Sequence, residues 1–100
     1  MDLHVERFQE SNHKITFLTN HTRVLAAISK DRNIRMREMA RAIGITERAV
    51  QRIVDELITA GYITAYKSGR RNAYALDEMR TLGASFPGCL VSDLLNICRE

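Results

Sequence analysis

Cysteine is scarce in this chain of 100 residues, with Cys89 and Cys98 as the only two. Two thiols do not make a disulfide framework, and these stand too far apart for a Cys-x-x-Cys redox or metal pair. They are expected to be buried or idle. Histidine is scarce too: His4, His13 and His21 are scattered, with no two at a metal-ligand spacing on one expected element. No metal and no cofactor is therefore expected, a sensor combining these histidines with a cysteine being the alternative. No apolar run approaches the roughly 20 residues a membrane span needs. The opening MDLHVERFQE lacks the basic start and apolar centre of a signal peptide. A cytoplasmic protein without a membrane partner is expected. No Ser, Cys or His falls in a nucleophile motif, no glycine-rich phosphate loop is present and the acids are spread out, so catalysis is not expected. Repeats and low-complexity tracts are missing as well.

What is present suits one globular domain. Its 45% hydrophobic and 27% charged residues are ordinary for a folded protein. A chain of this size has one modest core and buries well under three-quarters of its unfolded surface, which leaves room for help from a partner chain. The net charge of +3 is unevenly placed. Residues 1 to 31 carry four acids and four bases, residues 32 to 76 four acids and nine bases, and residues 77 to 100 four acids and two bases. A basic middle between neutral or acidic ends is the footprint of a surface that meets phosphates with one face, a merely solvated helix face being the alternative.

Periodicity divides the chain into elements. Residues 1–18 read as an N-terminal arm in which Leu3, Val5 and Phe8 can pack and which ends in a short apolar piece at 14–18. Thr19 and Asn20 offer capping oxygens to a first helix whose stripe is Val24, Leu25 and Ile28 with Ala27, ending near Lys30 in a turn at Asp31, Arg32 and Asn33. Ile34 reads as a very short strand. Met36, Met39, Ala40 and Ile43 then fall at i, i+3, i+4 and i+7, the stripe of a second amphipathic helix. Gly44 is free to take positive φ, Ile45 plugs the core, and Thr46 caps a third helix running from Glu47 to about Ala60, with Val50, Ile53, Val54 and Leu57 inward and Gly61 as its stop. A two-residue period at 62–67 and 72–76, with a turn at Ser68 to Arg71, predicts a β-hairpin. An irregular connector over 77–88 holds the only proline, Pro87, and leads to a final apolar helix bearing Leu90, Val91, Leu94, Leu95, Ile97 and Cys98. The fold class is thus mainly α with a small hairpin: a three-helix core plus wing over 19–76, and an added C-terminal helix in 77–100.

Ala40, Gly44 and Val50 are spaced four and then six residues apart. A small residue lets the next helix approach, glycine permits the sharp turn, and branched Val50 fills the gap between the two helices. With Ile45 and Thr46 also in place, the stretch GITERAVQRIVDELITAGYI, followed by Gly-Arg-Arg-Asn and Tyr74, resembles winged helix-turn-helix transcriptional regulators of the broad MarR and ArsR type. The likeness runs from about Phe17 to Leu76. It is also similar to a branch of small prokaryotic regulators with a Phe-Leu-Thr-Asn-His entry, here residues 17–21, and a closing Ser-Asp-Leu-Leu helix, here residues 92–95. The resemblance implies a dimeric protein that lays its third helix in the DNA major groove and touches the backbone or minor groove with its hairpin. It names no effector.

The residues point the same way. Opposite its apolar stripe the third helix carries Glu47, Arg48, Gln51, Arg52 and Asp55, mostly toward the N-terminal end that a recognition helix aims at base edges. Arg can take guanine O6 and N7 and Gln can pair with adenine, so Arg48, Gln51 and Arg52 are the candidates for reading bases. Thr46, Arg35, Arg37, Lys67, Arg70, Arg71 and Asn72 are candidates for the phosphate backbone. Ser or Thr is the commoner cap at the position of Arg35, which leaves the start of the second helix open. Tyr62, Tyr66 and Tyr74 are expected to pack in the hairpin and core rather than stack on single-stranded bases. The rival reading is a winged-helix adaptor that binds protein and not specific DNA. The last helix either joins two copies or folds across its own domain.

Overall fold

The computed structural model describes residues 18–99. The arm at 1–17, with Leu3, Val5 and Phe8, and the histidines at 4 and 13 lie outside the described residues. Within them the chain runs α1 (Asn20–Lys30), α2 (Met36–Ile43), α3 (Glu47–Thr59), β1 (Ile63–Ser68), β2 (Arg71–Leu76) and α4 (Val91–Cys98).

Each helix starts and stops for a local reason. At α1, Thr19 Oγ1 accepts the Thr22 amide at 3.3 Å. Its end is turned by Asp31, whose Oδ1 accepts the Asn33 amide at 3.0 Å and whose carbonyl accepts the Ile34 amide at 3.1 Å. The start of α2, left open by Arg35, is set from within the helix. Arginine has no acceptor to offer, and instead Glu38 reaches back so that its Oε1 takes the Arg35 amide at 2.9 Å. Between α2 and α3, Gly44 has φ +87°. There the Gly44 and Ile45 amides both donate to the Ala40 carbonyl, at 2.8 and 3.1 Å, closing the helix end in a way a residue with a Cβ adopts only under strain. Thr46 Oγ1 accepts the Ala49 amide at 3.0 Å and caps α3 as expected. That helix stops at Thr59, one residue before the anticipated Ala60.

The core lies where α1, α2, α3, the hairpin base and α4 meet. Val24, Leu25 and Ile28 of α1 face Met39 and Ala40 of α2 and Val50, Ile53, Val54 and Leu57 of α3, with Ile63 and Tyr74 of the hairpin and Val91 and Leu95 of α4 closing it. Burial of a side chain such as Ile53 contributes about 1.5–3 kcal/mol.

The hairpin is antiparallel with Ile63 opposite Leu76 and Ser68 opposite Arg71, leaving Gly69 and Arg70 as its two-residue loop. Two expectations fail nearby. No strand forms at Ile34, so the sheet among the described residues is the expected two-stranded hairpin alone. A third partner is replaced by one backbone bond, Tyr74 amide to Arg32 carbonyl at 3.1 Å. The tyrosines also divide: Tyr74 is buried and Tyr62 half-buried, but Tyr66 stands out on the wing at 43% exposure. Its position follows from the strand period, since only Ile63 of β1 points inward.

The connector is pinned at both ends. Thr81 bridges to Leu90 and the Leu82 amide donates to the Cys89 carbonyl at 2.9 Å, so residues 83–88 form a closed loop that leaves Cys89 exposed rather than buried. The apolar face of α4 is split. Val91 and Leu95 pack inward, with α4 lying against α1, whereas Ile97 is 69% exposed. Arg99 fastens the helix end through Ser29 Oγ at 2.9 Å and Glu78 Oε2 at 3.3 Å.

Candidate nucleic-acid interface

Because 3.6 residues make a turn, the burial of Val50, Ile53, Val54 and Leu57 forces Arg48, Gln51, Arg52 and Asp55 onto the opposite face of α3. All four are exposed, and with Glu56, Thr59 and Ala60 they line one shallow groove along the helix. At its N-terminal end Thr46, Arg48, Ala49 and Arg52 share a second hollow. Thr46 is thus both the cap and a neighbour of two base-reading candidates.

These side chains are unequally committed. Gln51 Nε2 donates to Asp55 Oδ1 at 3.0 Å, and Arg52 Nη1 donates to Glu56 Oε2 at 3.3 Å, each one turn along the helix. Arg48 has no carboxylate partner among the described residues. The far side of Glu56 meets α1, where His21 Nε2 lies 2.6 Å from Glu56 Oε1. That hydrogen bond, with the charges of Arg52 and His21 behind it, holds the Glu56 carboxyl below the usual glutamate range against an opposing desolvation. An ionised carboxylate has no proton to give, so the His21 Nε2 carries one.

The remaining backbone candidates fall into three places. Arg35, Arg71 and Asn72 line one cleft of about 250 Å³ between the start of α2 and the wing, together with Asn33 and Tyr74. There Arg71 Nη2 donates to the Asn33 carbonyl at 2.7 Å, so Arg71 tethers the wing to the turn before α2. Burial pushes the Tyr74 hydroxyl above its ordinary range, with Asn72 opposing and the Asp55 charge assisting. Lys67 and Arg70 stand apart at the exposed hairpin tip with no carboxylate partner among the described residues. Arg37 lies beside Glu47, with Nε 3.9 Å from Oε2.

His21, Glu56 and the tethering role of Arg71 were not found from sequence. The pairs 51–55 and 52–56 are legible in the i, i+4 spacing. His21 to Glu56 and Arg71 to Asn33 cross 35 and 38 residues and leave no periodic trace.

Residues 18–64 match a family model described as winged helix-turn-helix DNA-binding. Among solved structures the chain is similar to the zinc-dependent MarR family transcriptional regulator AdcR in its Zn(II)-bound state, at 21% identity and a TM-score of 0.50, over 76% of this chain. The match spans 60% of that protein's chain. A comparison with curated proteins gives no match. The fold is a winged helix-turn-helix, as the resemblance implied. The matched family model is one of DNA-binding winged helix-turn-helix domains. Among the described residues no three His, Cys, Asp or Glu side chains gather in a way that could hold a metal ion, and no helix is long and apolar enough to cross a membrane.

Proposed function

We propose that this winged helix-turn-helix chain is a transcriptional regulator that binds double-stranded DNA in a sequence-specific way. The observation that carries the reading is the exposed stripe Arg48, Gln51, Arg52 on a capped helix, flanked by the cations of the α2 start and the wing. Laid in a major groove, α3 presents Arg48 and Arg52 to guanine edges and Gln51 to adenine. Thr46 and the first amides of α3, with Arg35 and Arg37, meet phosphates on one side, and Lys67, Arg70, Arg71 and Asn72 meet the backbone or minor groove on the other. Of the cations among these, Arg35, Lys67 and Arg70 have no side-chain partner to give up among the described residues.

The working form on this reading is a homodimer in the cytoplasm, its two recognition helices meeting half-sites about one helical turn apart on a palindromic operator. Exposed Ile97 supports an association surface at the C-terminal helix.

Fluorescence anisotropy on a duplex from the region upstream of its own gene, over a series of salt concentrations, tests the reading. Tight binding with a steep salt slope, lost on that duplex but not on random DNA in the Arg48→Ala, Arg52→Ala double variant, is the expected result. Weak binding indifferent to sequence and to the substitutions would favour a protein-docking adaptor instead.

A further inference from the structure

A glutamate carboxylate has two oxygens, and in Glu56 they are divided between two elements. Oε1 takes His21 at 2.6 Å and Oε2 takes Arg52 at 3.3 Å. His21 lies in the first turn of α1, on a helix fixed by the buried Val24, Leu25 and Ile28. Glu56 lies one turn beyond Arg52 on α3. The carboxylate is therefore braced from a second helix before it meets the guanidinium. The neighbouring pair Gln51 and Asp55 has no such brace, since Asp55 makes no other side-chain hydrogen bond among the described residues.

This arrangement does little for stability. His21, Glu56 and Arg52 side chains are 43%, 49% and 63% exposed, and ion pairs at such exposure add little. It does act on geometry. An unrestrained arginine spreads over many rotamers, and ordering one at a base edge costs side-chain entropy on binding. A carboxylate that holds one nitrogen, Nη1, limits that spread and leaves the other nitrogens of the fork to donate elsewhere.

We propose that Glu56, braced by His21 from α1, is a positioning residue for Arg52, holding its guanidinium ready at the edge of the α3 stripe so that discrimination among DNA sequences depends on a carboxylate that touches no base. The inference rests on the DNA-reading function proposed above. It predicts opposite effects on two quantities. Removing the negative charge of Glu56 leaves non-specific affinity for phosphates equal or higher, while sequence discrimination falls because Arg52 is no longer aimed.

The experiment takes duplexes enriched from a randomised library by the wild-type chain and measures anisotropy on the enriched duplex and on a scrambled one. The variants are Glu56→Gln, His21→Asn, Arg52→Ala and Glu56→Gln with Arg52→Ala, each with a thermal melt. The expected result is that Glu56→Gln loses about fivefold or more of the enriched-to-scrambled ratio, the lower end of what one bidentate arginine contact supplies, without weaker binding to scrambled DNA. His21→Asn shifts the ratio the same way by less. In the Arg52→Ala background Glu56→Gln leaves the ratio unchanged, because a residue acting through another has nothing left to act on. An unchanged ratio in Glu56→Gln, or the same loss with and without Arg52, overturns the inference and leaves the DNA-reading function standing on Arg48 and Gln51. A parallel fall of melting temperature and of binding to both duplexes in Glu56→Gln assigns Glu56 to the fold and overturns it too. No enrichment of any sequence overturns the inference and the DNA-reading function together.

Discussion

Gly61 carries two constraints at once, and they can be separated. Its φ is +87°, and a Cβ there would stand 2.9 Å from the Arg80 Cζ, whose guanidinium also lies over the Tyr62 ring at 5.5 Å from the centroid. At Gly44 φ is the same but nothing lies within 4 Å of the added atom. Backbone strain alone costs about 1–2 kcal/mol in this region. Because that guanidinium ends a flexible side chain and can swing aside at the cost of its contact with Tyr62, Gly61→Ala is expected to destabilise only slightly more than Gly44→Ala in urea unfolding, and that difference should vanish in an Arg80→Ala background. Glu56 allows a second prediction at this scale. Its carboxyl is held below the usual range first by the His21 hydrogen bond. A folded-state pKa that is depressed stabilises the protein above the unfolded value, and that contribution is lost as pH falls through the folded one. Melting temperatures taken from neutral pH into the acid range should therefore fall less steeply for Glu56→Gln than for the wild type. The difference is expected to be small because the pair is half exposed, and a Glu56 titration at or above the usual glutamate range by NMR would show that the bond to His21 is not kept in solution.

Among the elements, α2 and α3 were legible from sequence because their cores repeat with the helical period and Gly44 and Thr46 mark the turn between them. The hairpin was legible to within a residue for the same kind of reason. What escaped was contact between elements. The strand expected at Ile34 reduces to one bond from Tyr74, Tyr66 faces out because the wing has no second layer above it, and the apolar face of α4 is half used. The exposed stripe of the candidate site was readable, but its commitments to His21, Glu56 and Asn33 were not. Caps make the testable case at this scale. Thr46→Ala should cost about 0.5–2 kcal/mol in chemical denaturation, because the Ala49 amide loses its acceptor. Arg35→Thr should do the reverse for α2, gaining up to about 1 kcal/mol by supplying a side-chain acceptor where arginine has none, while weakening DNA affinity if Arg35 meets a phosphate.

For the molecule as a whole, the C-terminal helix decides between self-contained and shared stability. Leu95 is wholly buried within its own domain, so Leu95→Ala should cost about 2–5 kcal/mol, and by the same amount at every protein concentration. Ile97, being exposed, should behave oppositely: Ile97→Ser is expected to leave the stability of a dilute monomer within about 0.5 kcal/mol of wild type and to weaken self-association in sedimentation. A concentration-dependent loss in Leu95→Ala would instead make α4 a shared element. The bond from the Tyr74 amide to the Arg32 carbonyl has a bearing on motion. A two-stranded ribbon frays on its own, but this amide lies outside the ribbon's ladder and is held by the turn that follows α1. Its hydrogen cannot exchange with solvent until the wing detaches from the helices. Slow deuterium uptake at Tyr74 beside fast uptake at Arg70 would mark a wing that is stiff at its root and free at its tip.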